Sequence, residues 1–374
     1  MLAKEDQKKL DELFGQMDEL HLRLLGYPCA RNFDYTALHR FLKFPLNNIG
    51  DPLQPSTYRV GTRPFECEVV DFFADLFNAP KGGYWGYVTN GGTEGNLYGL
   101  YIARELFPKG VVYFSEDTHY SVAKNVHLLG MRHIMIKATD NGEIDYEDLR
   151  ESIRLNRDVP AIIMANIGTT MKEAKDDTKK IKAILDDLVI QNRYIHSDGA
   201  FCGTYAQFLN PKPNFDFTEG ADSIAISGHK FIGSPIPCGV VIARKRNVER
   251  IGNSIGYIGC MDTTITGSRN GFSPLVLWYA IKSLGKEGLK KRLKECLDLA
   301  EYVVKTLNDK GIPAWRNPNA LTVILPKVSG DTQWKWQLAT DDVSHTIITP
   351  GTTKEHMDKL IVDLITFYQT EKAA

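Results

Sequence analysis

Ser223-Ile224-Ala225-Ile226-Ser227-Gly228-His229-Lys230-Phe231-Ile232-Gly233 runs from an apolar strand into a small-residue turn and delivers one lysine beside a histidine. Upstream, Arg193-Tyr194-Ile195-His196-Ser197 repeats the design, a strand that ends in Asp198-Gly199-Ala200. From about residue 84 short apolar strands alternate with amphipathic helices. Strands are expected at residues 111–114, 133–136, 161–165, 194–197, 223–226 and 239–243, with helices at 119–129, 145–155 and 176–190. That rhythm specifies an α/β fold with a mostly parallel sheet.

The flanks read differently. Residues 5–25 carry helical apolar spacing (Leu10, Leu13, Met17, Leu20, Leu24) ended by Gly26 and Pro28, and a second helix starts near Arg63-Pro64. After Pro274 come two helices at about 275–284 and 287–309, a strand at 321–325 and a helix near 354–370. The expected organisation is an N-terminal helical segment (1–48), a large domain (49–272) and a small C-terminal α+β domain (273–374).

The 374 residues carry a net charge of −1, with no basic excess to suggest nucleic acid or a membrane surface. The N-terminus is polar and lacks a signal-peptide core, and no apolar run reaches the ~18 residues of a membrane span. Six scattered cysteines without a Cys-x-x-Cys pair suit reduced thiols, and a cytoplasmic location is expected. No metal-ligand or Gly-x-Ser-x-Gly pattern occurs, so no metal is expected and serine-hydrolase chemistry is excluded.

Several positions carry chemistry. A lysine amine forms a Schiff base with an aldehyde. An aspartate holds a pyridine nitrogen protonated. Pyridoxal phosphate needs both, an imine anchor and an anion for its ring nitrogen, and Lys230 and Asp198 supply them. Thr89-Asn90-Gly91-Gly92-Thr93-Glu94-Gly95-Asn96 opens a helix whose first N–H groups, at Gly91, Gly92 and Thr93, would cradle a phosphate. His119, after Ser115-Glu116-Asp117-Thr118, stands at a strand's carboxyl end, where an imidazole could stack on a flat ring. Asn166 or Thr169 could bond a phenolic oxygen, or simply close a turn. Gly252, Gly256, Gly259 and Gly267 suggest a mobile loop that carries Tyr257, a candidate proton donor, and Cys260, which would suit desulfuration.

Thr89 to Asn96, His119-Tyr120-Ser121-Val122, Asp198-Gly199-Ala200, Ser227-Gly228-His229-Lys230 and Gly267-Ser268-Arg269-Asn270-Gly271 resemble, in order and spacing, group II pyridoxal-phosphate amino-acid decarboxylases. The similar branch holds bacterial histidine decarboxylases and plant-type serine decarboxylases, and the likeness covers roughly residues 30–370. It implies fold type I, a seven-stranded mainly parallel sheet with a small C-terminal domain, and a homodimer with sites at the interface. It implies Lys230 as the Schiff-base lysine, Asp198 as the pyridinium partner and His119 as the stacking histidine. Gly92, Thr93, Ser227 and His229 become phosphate contacts and Ala200 a cofactor neighbour. Ser268 would reach the neighbouring subunit's site, and Tyr257 would protonate the product, although Ser254-Ile255-Gly256 departs from the family pattern.

The expected reaction is α-decarboxylation of a small-molecule L-amino acid. Histidine is favoured by Thr264 to Gly271 and Trp315-Arg316-Asn317, serine by Asn47 to Pro52 and Trp336 to Pro350. Amino transfer stays open through Arg316 as a carboxylate clamp, desulfuration through Cys260, and an inactive cofactor-shaped binding protein is the alternative outside enzymes.

Overall fold

The computed structural model describes residues 2–256 and 259–373. The chain forms two compact units, Asn32–Leu293, and Met1–Arg31 together with Lys294–Ala374. These divisions differ from the expected ones at 48/49 and 272/273. Leu38, Leu275 and Val276 are buried together, with Tyr35, Phe41, Phe65, Phe272 and Tyr279 packed around them. That cluster draws residues 32–48 and the start of helix Phe272–Asp309 into the large unit. The helix itself breaks at Gly285 (φ 59°), near the expected gap between two helices.

The large unit is built on seven strands: β1 (Tyr84–Thr89), β2 (Val111–Ser115), β3 (Arg132–Ile136), β4 (Ala161–Asn166), β5 (Arg193–Asp198), β6 (Ser223–Ser227) and β7 (Gly239–Arg244). Their order is β1-β7-β6-β5-β4-β2-β3. Strands β2 to β6 run parallel, and β7 is antiparallel to both β6 and β1. The central strands are buried along their whole length, as strands covered on both faces must be. On one face Tyr98, Leu100, Ile102, Val122 and Val126 pack over Val112, Met164, Ala225 and Val241. On the other, Leu149, Ile153, Ile181 and Leu185 cover Tyr113, Ile163 and Ile195. The helices Tyr146–Leu155 and Thr178–Asp187 start where Asp145 and Asp177 accept the first free backbone N–H groups.

Two expectations change. The first helix ends at Leu20 and passes into a 3₁₀ turn, His21–Arg23. No residue of Lys4–Leu20 is buried, whereas Leu25 is fully buried and its N–H bonds Trp336 O, which turns the chain off the helix axis. The expected mobile glycine loop is largely paired. Asn253–Ile255 pairs with Cys260–Asp262, and Ser268–Asn270 with Asn47–Ile49. Arg269 is buried against Glu66 and Gly50 O, so a fixed ion pair anchors that stretch. Tyr257, the loop's candidate proton donor, lies outside the described residues.

In the other unit Thr322–Leu325, Ser344–Ile347 and Ala339–Thr340 form an antiparallel sheet, accompanied by helix Lys354–Ala373. Among the described residues no helix is long and apolar enough to cross a membrane. Among those same residues, no cluster of three His, Cys, Asp or Glu side chains could hold a metal.

Candidate active site

The carboxyl ends of the parallel strands line up on one edge, where ligands of such sheets bind. Asn166 is the register partner of Asp198, and Asp198 of Ala225. Ser227 and Thr89 both face Gly239 of β7. The motifs that the sequence spreads over more than a hundred residues therefore meet at one rim.

At one side of the rim is a small-residue cradle. Gly91 caps helix Gly92–Leu106 with φ +148°, a conformation open to glycine, and no side chain caps the helix. The first amides are left for an anion, with the helix dipole in its favour. A Cβ on Gly92 would stand 2.7 Å from Ser227 Oγ and 3.2 Å from Ala200 Cβ, and one on Gly91 4.0 Å from His229 Cε1. Gly91, Gly92, Ala200, Ser227 and His229 thus share one hollow, with Thr93 exposed in the same turn. Glu94 is kept from that hollow's chemistry: it accepts from Asn90 N (3.0 Å) and Nδ2 (2.6 Å) and from Tyr87 OH (2.8 Å).

The same rim carries Asp198 and Lys230. Asp198 is buried. Its Oδ2 accepts from Asn96 Nδ2 at 2.6 Å and its Oδ1 from Ala200 N at 3.1 Å. Lys230 is half-buried at the turn after β6. His119 Nδ1 lies 2.7 Å from Ser121 Oγ and accepts from Ser121 N at 3.3 Å, which pins the ring. Burial lowers the His119 pKa; the Asp198 charge pulls it back up and the Lys230 charge lowers it further. His119 therefore lies within electrostatic reach of both, as a neutral imidazole at neutral pH. Burial likewise lowers His229, with Lys230 adding to the shift.

Asn166 and Thr169 separate. Asn166 Nδ2 donates to Thr118 Oγ1 and to Asp176 Oδ2, both at 3.0 Å, so its amide is fixed at the rim. Asp176 is pushed up to about 7 by burial, against the N–H groups of Asn166 and Ile144 that favour its charge. Thr169 Oγ1 accepts from Ala174 N and closes its own turn. Ser268 is exposed, its hydroxyl accepting from Asn47 Nδ2 at 3.1 Å in the strand pair and not in the cradle. Cys260 is buried on its short strand. Arg316 donates to Ala320 O and to Glu301 at 2.6 Å, which commits the guanidinium expected as a clamp.

A family model, the pyridoxal-dependent decarboxylase conserved domain, matches residues 62–312. The chain belongs to this decarboxylase family. Among its relatives are a histidine decarboxylase of Mesorhizobium japonicum, 58% identical over 96% of this chain and 98% of that protein. One from Morganella morganii is 46% identical over 97% and 96%. L-methionine decarboxylase from Streptomyces sp.590 superposes with a TM-score of 0.90 at 26% identity, covering 98% of this chain and 95% of that one. The decarboxylase is thus a pyridoxal-phosphate-dependent amino-acid carboxy-lyase of fold type I.

The rim fits that cofactor. An uncapped helix start, packed so closely against Ser227 and Ala200 that only glycine fits at 92, lies at the same rim as a buried carboxylate and a half-buried lysine. Sequence reasoning missed the residues that steady the decarboxylase's rim: Asn96, His196, Ser223, Ser121, Thr118 and Asp176. Two signals were present. His196 and Asp198 share a strand face by the period of two. Gly92, Gly95, Asn96 and Gly99 share one helical face, and all are buried.

Proposed function

We propose that this decarboxylase converts L-histidine to histamine and carbon dioxide. The observation that carries the substrate is the run of relatives named histidine decarboxylase, 44–58% identical over 96–97% of the chain. Lys230 supplies the amine that anchors the cofactor's aldehyde. Gly91, Gly92, Thr93, Ser227 and His229 hold its phosphate, with Ala200 beside them. Asn166 would accept from the ring hydroxyl through its Oδ1, and His119 would stack on the ring. When bound, the cofactor provides a conjugated acceptor for the electron pair released as the bond from Cα to the carboxylate breaks.

Asp198 keeps the ring nitrogen protonated, since a carboxylate nearby moves such a pKa by ~1–3 units toward the charged form. His119 enters the cycle neutral because its burial disfavours the imidazolium. Proton return at the substrate Cα falls to Tyr257, or to His119 once it has taken a proton from the incoming substrate's ammonium group. The working form is a cytoplasmic homodimer in which Ser268 serves the neighbouring site. The exposed stripe of Leu10, Leu13, Phe14, Met17 and Leu20 on the first helix supports such an assembly.

The test is incubation of the holoenzyme with each amino acid while amine and carbon dioxide are followed together. Histamine from histidine is expected. Ethanolamine from serine with histidine inert overturns the substrate, and a keto acid overturns the choice of bond. Lys230→Ala abolishes multiple turnover; normal turnover in that variant refutes the anchor. A single-chain mass in solution for the active enzyme refutes the dimer.

A further inference from the structure

Asn96, which meets Asp198, is itself held. Its Oδ1 lies 2.9 Å from His196 Nε2. His196 Nδ1 lies 2.7 Å from Ser223 Oγ, and Tyr194 OH donates to that same oxygen at 2.8 Å. All four side chains are buried.

The donors run one way. An ionised carboxylate only accepts, so Asn96 turns its NH₂ to Asp198 and its oxygen to His196. That oxygen needs a donor, which fixes the ring proton on His196 Nε2. His196 Nδ1 then accepts from the Ser223 hydroxyl, whose oxygen accepts from Tyr194. Burial pushes the His196 pKa down to about 4, against the raising effect of Asp198, so the ring stays neutral at neutral pH.

The sequence and fold prepare the arrangement. Tyr194, His196 and Asp198 alternate along β5 onto one face, and His196 is the register partner of Ser223 on β6. Helix Gly92–Leu106 approaches closely enough for Asn96 to reach across because it carries glycine where the imidazole lies. A Cβ on Gly99 would stand 2.2 Å from His196 Nδ1.

We propose that Tyr194, Ser223, His196 and Asn96 form a neutral, one-directional hydrogen-bond chain that positions Asp198, filling one carboxylate oxygen with a fixed N–H donor and leaving its remaining lone pairs for the cofactor's ring nitrogen. Asn96 and His196 are positioning residues: they act through Asp198. The inference rests on the proposed pairing of Asp198 with that nitrogen.

The test compares the affinity of the apoprotein for pyridoxal phosphate and for its 1-deaza analogue, which has carbon in place of the ring nitrogen. The wild type prefers pyridoxal phosphate. Asn96→Asp, which puts an acceptor against the carboxylate without changing size, and His196→Asn, too short to reach Asn96, reduce that preference about tenfold or more, the scale of one hydrogen bond to a charged group. His196→Gln, whose amide N–H can stand in for Nε2, retains it. A merely structural role weakens both ligands together and leaves the ratio unmoved. An unchanged ratio in folded Asn96→Asp overturns the proposal, as does a loss in His196→Gln as large as in His196→Asn. If His196→Asn does not fold, Asn96→Asp decides alone. A wild type without any preference means that Asp198 does not meet the ring nitrogen, and the underlying role falls together with this one.

Discussion

The two sides of the site hold their charges by different means. The cradle is made of backbone and small residues: Gly91, Gly92, Ala200 and Ser227 shape a hollow at an uncapped helix start. The Asp198 side is made of side chains, a buried carboxylate with Asn96 behind it and His196, Ser223 and Tyr194 behind that. A phosphate offers many acceptor positions, so any convergent set of N–H groups serves it. A ring nitrogen offers one, and its partner must be in one protonation state. A buried carboxylate keeps its charge only when its oxygens are filled by fixed donors. The cradle is therefore a matter of shape, the other side a matter of protonation.

Variants on the two sides should separate accordingly. The largest effect is expected from Asp198→Asn, which keeps the size and loses the charge: kcat falls on the order of 10²–10³, as when one preorganised electrostatic partner is removed. A near-normal kcat there would erase the contrast. Next comes acid stability. His196 titrates at about 4 in the fold against 6.5 when free. Below pH 6.5 the unfolded chain binds the extra proton, so its contribution is complete above 6.5 and is lost as pH falls toward 4. The shift corresponds to about 3 kcal/mol. Urea unfolding from pH 7 to 4 should show a shallower decline in His196→Gln than in the wild type, and parallel curves would assign the acid sensitivity elsewhere. The smallest effect is expected from Gly92→Ala. Its Cβ crowds Ser227 Oγ and occupies the hollow, so cofactor affinity drops about tenfold while kcat at saturating cofactor stays near normal. Titration of the apoprotein checks the first part and steady-state rates the second. A fall in kcat with affinity intact would mean that the cradle also governs protonation.

The same division separates what was readable early from what was not. Lys230, Asp198, His119 and the Gly91-Gly92 turn each follow or precede a strongly patterned strand or helix, so their positions at a rim follow from local periodicity. Asn96 ends a glycine-rich turn in the sequence, yet its partner lies 102 residues away. Arg269 sits in a run resembling a family motif, but its burial against Glu66, 203 residues distant, turns an expected mobile loop into a paired strand. Nothing near Gly285 or Leu38 announces that residues 32–48 and the start of helix Phe272–Asp309 share a core.

The sequence by itself determined the α/β alternation, the strands that end in Asp198 and Lys230, and the family to which these motifs are similar, because apolar period and turn chemistry act over a few residues. Tertiary structure alone decided that β7 runs antiparallel between β1 and β6, that Arg269 is locked to Glu66, and that His196 stands behind Asp198 through Asn96. Those outcomes depend on which buried polar groups find partners across the sheet, and that accounting is closed only when every element is in place.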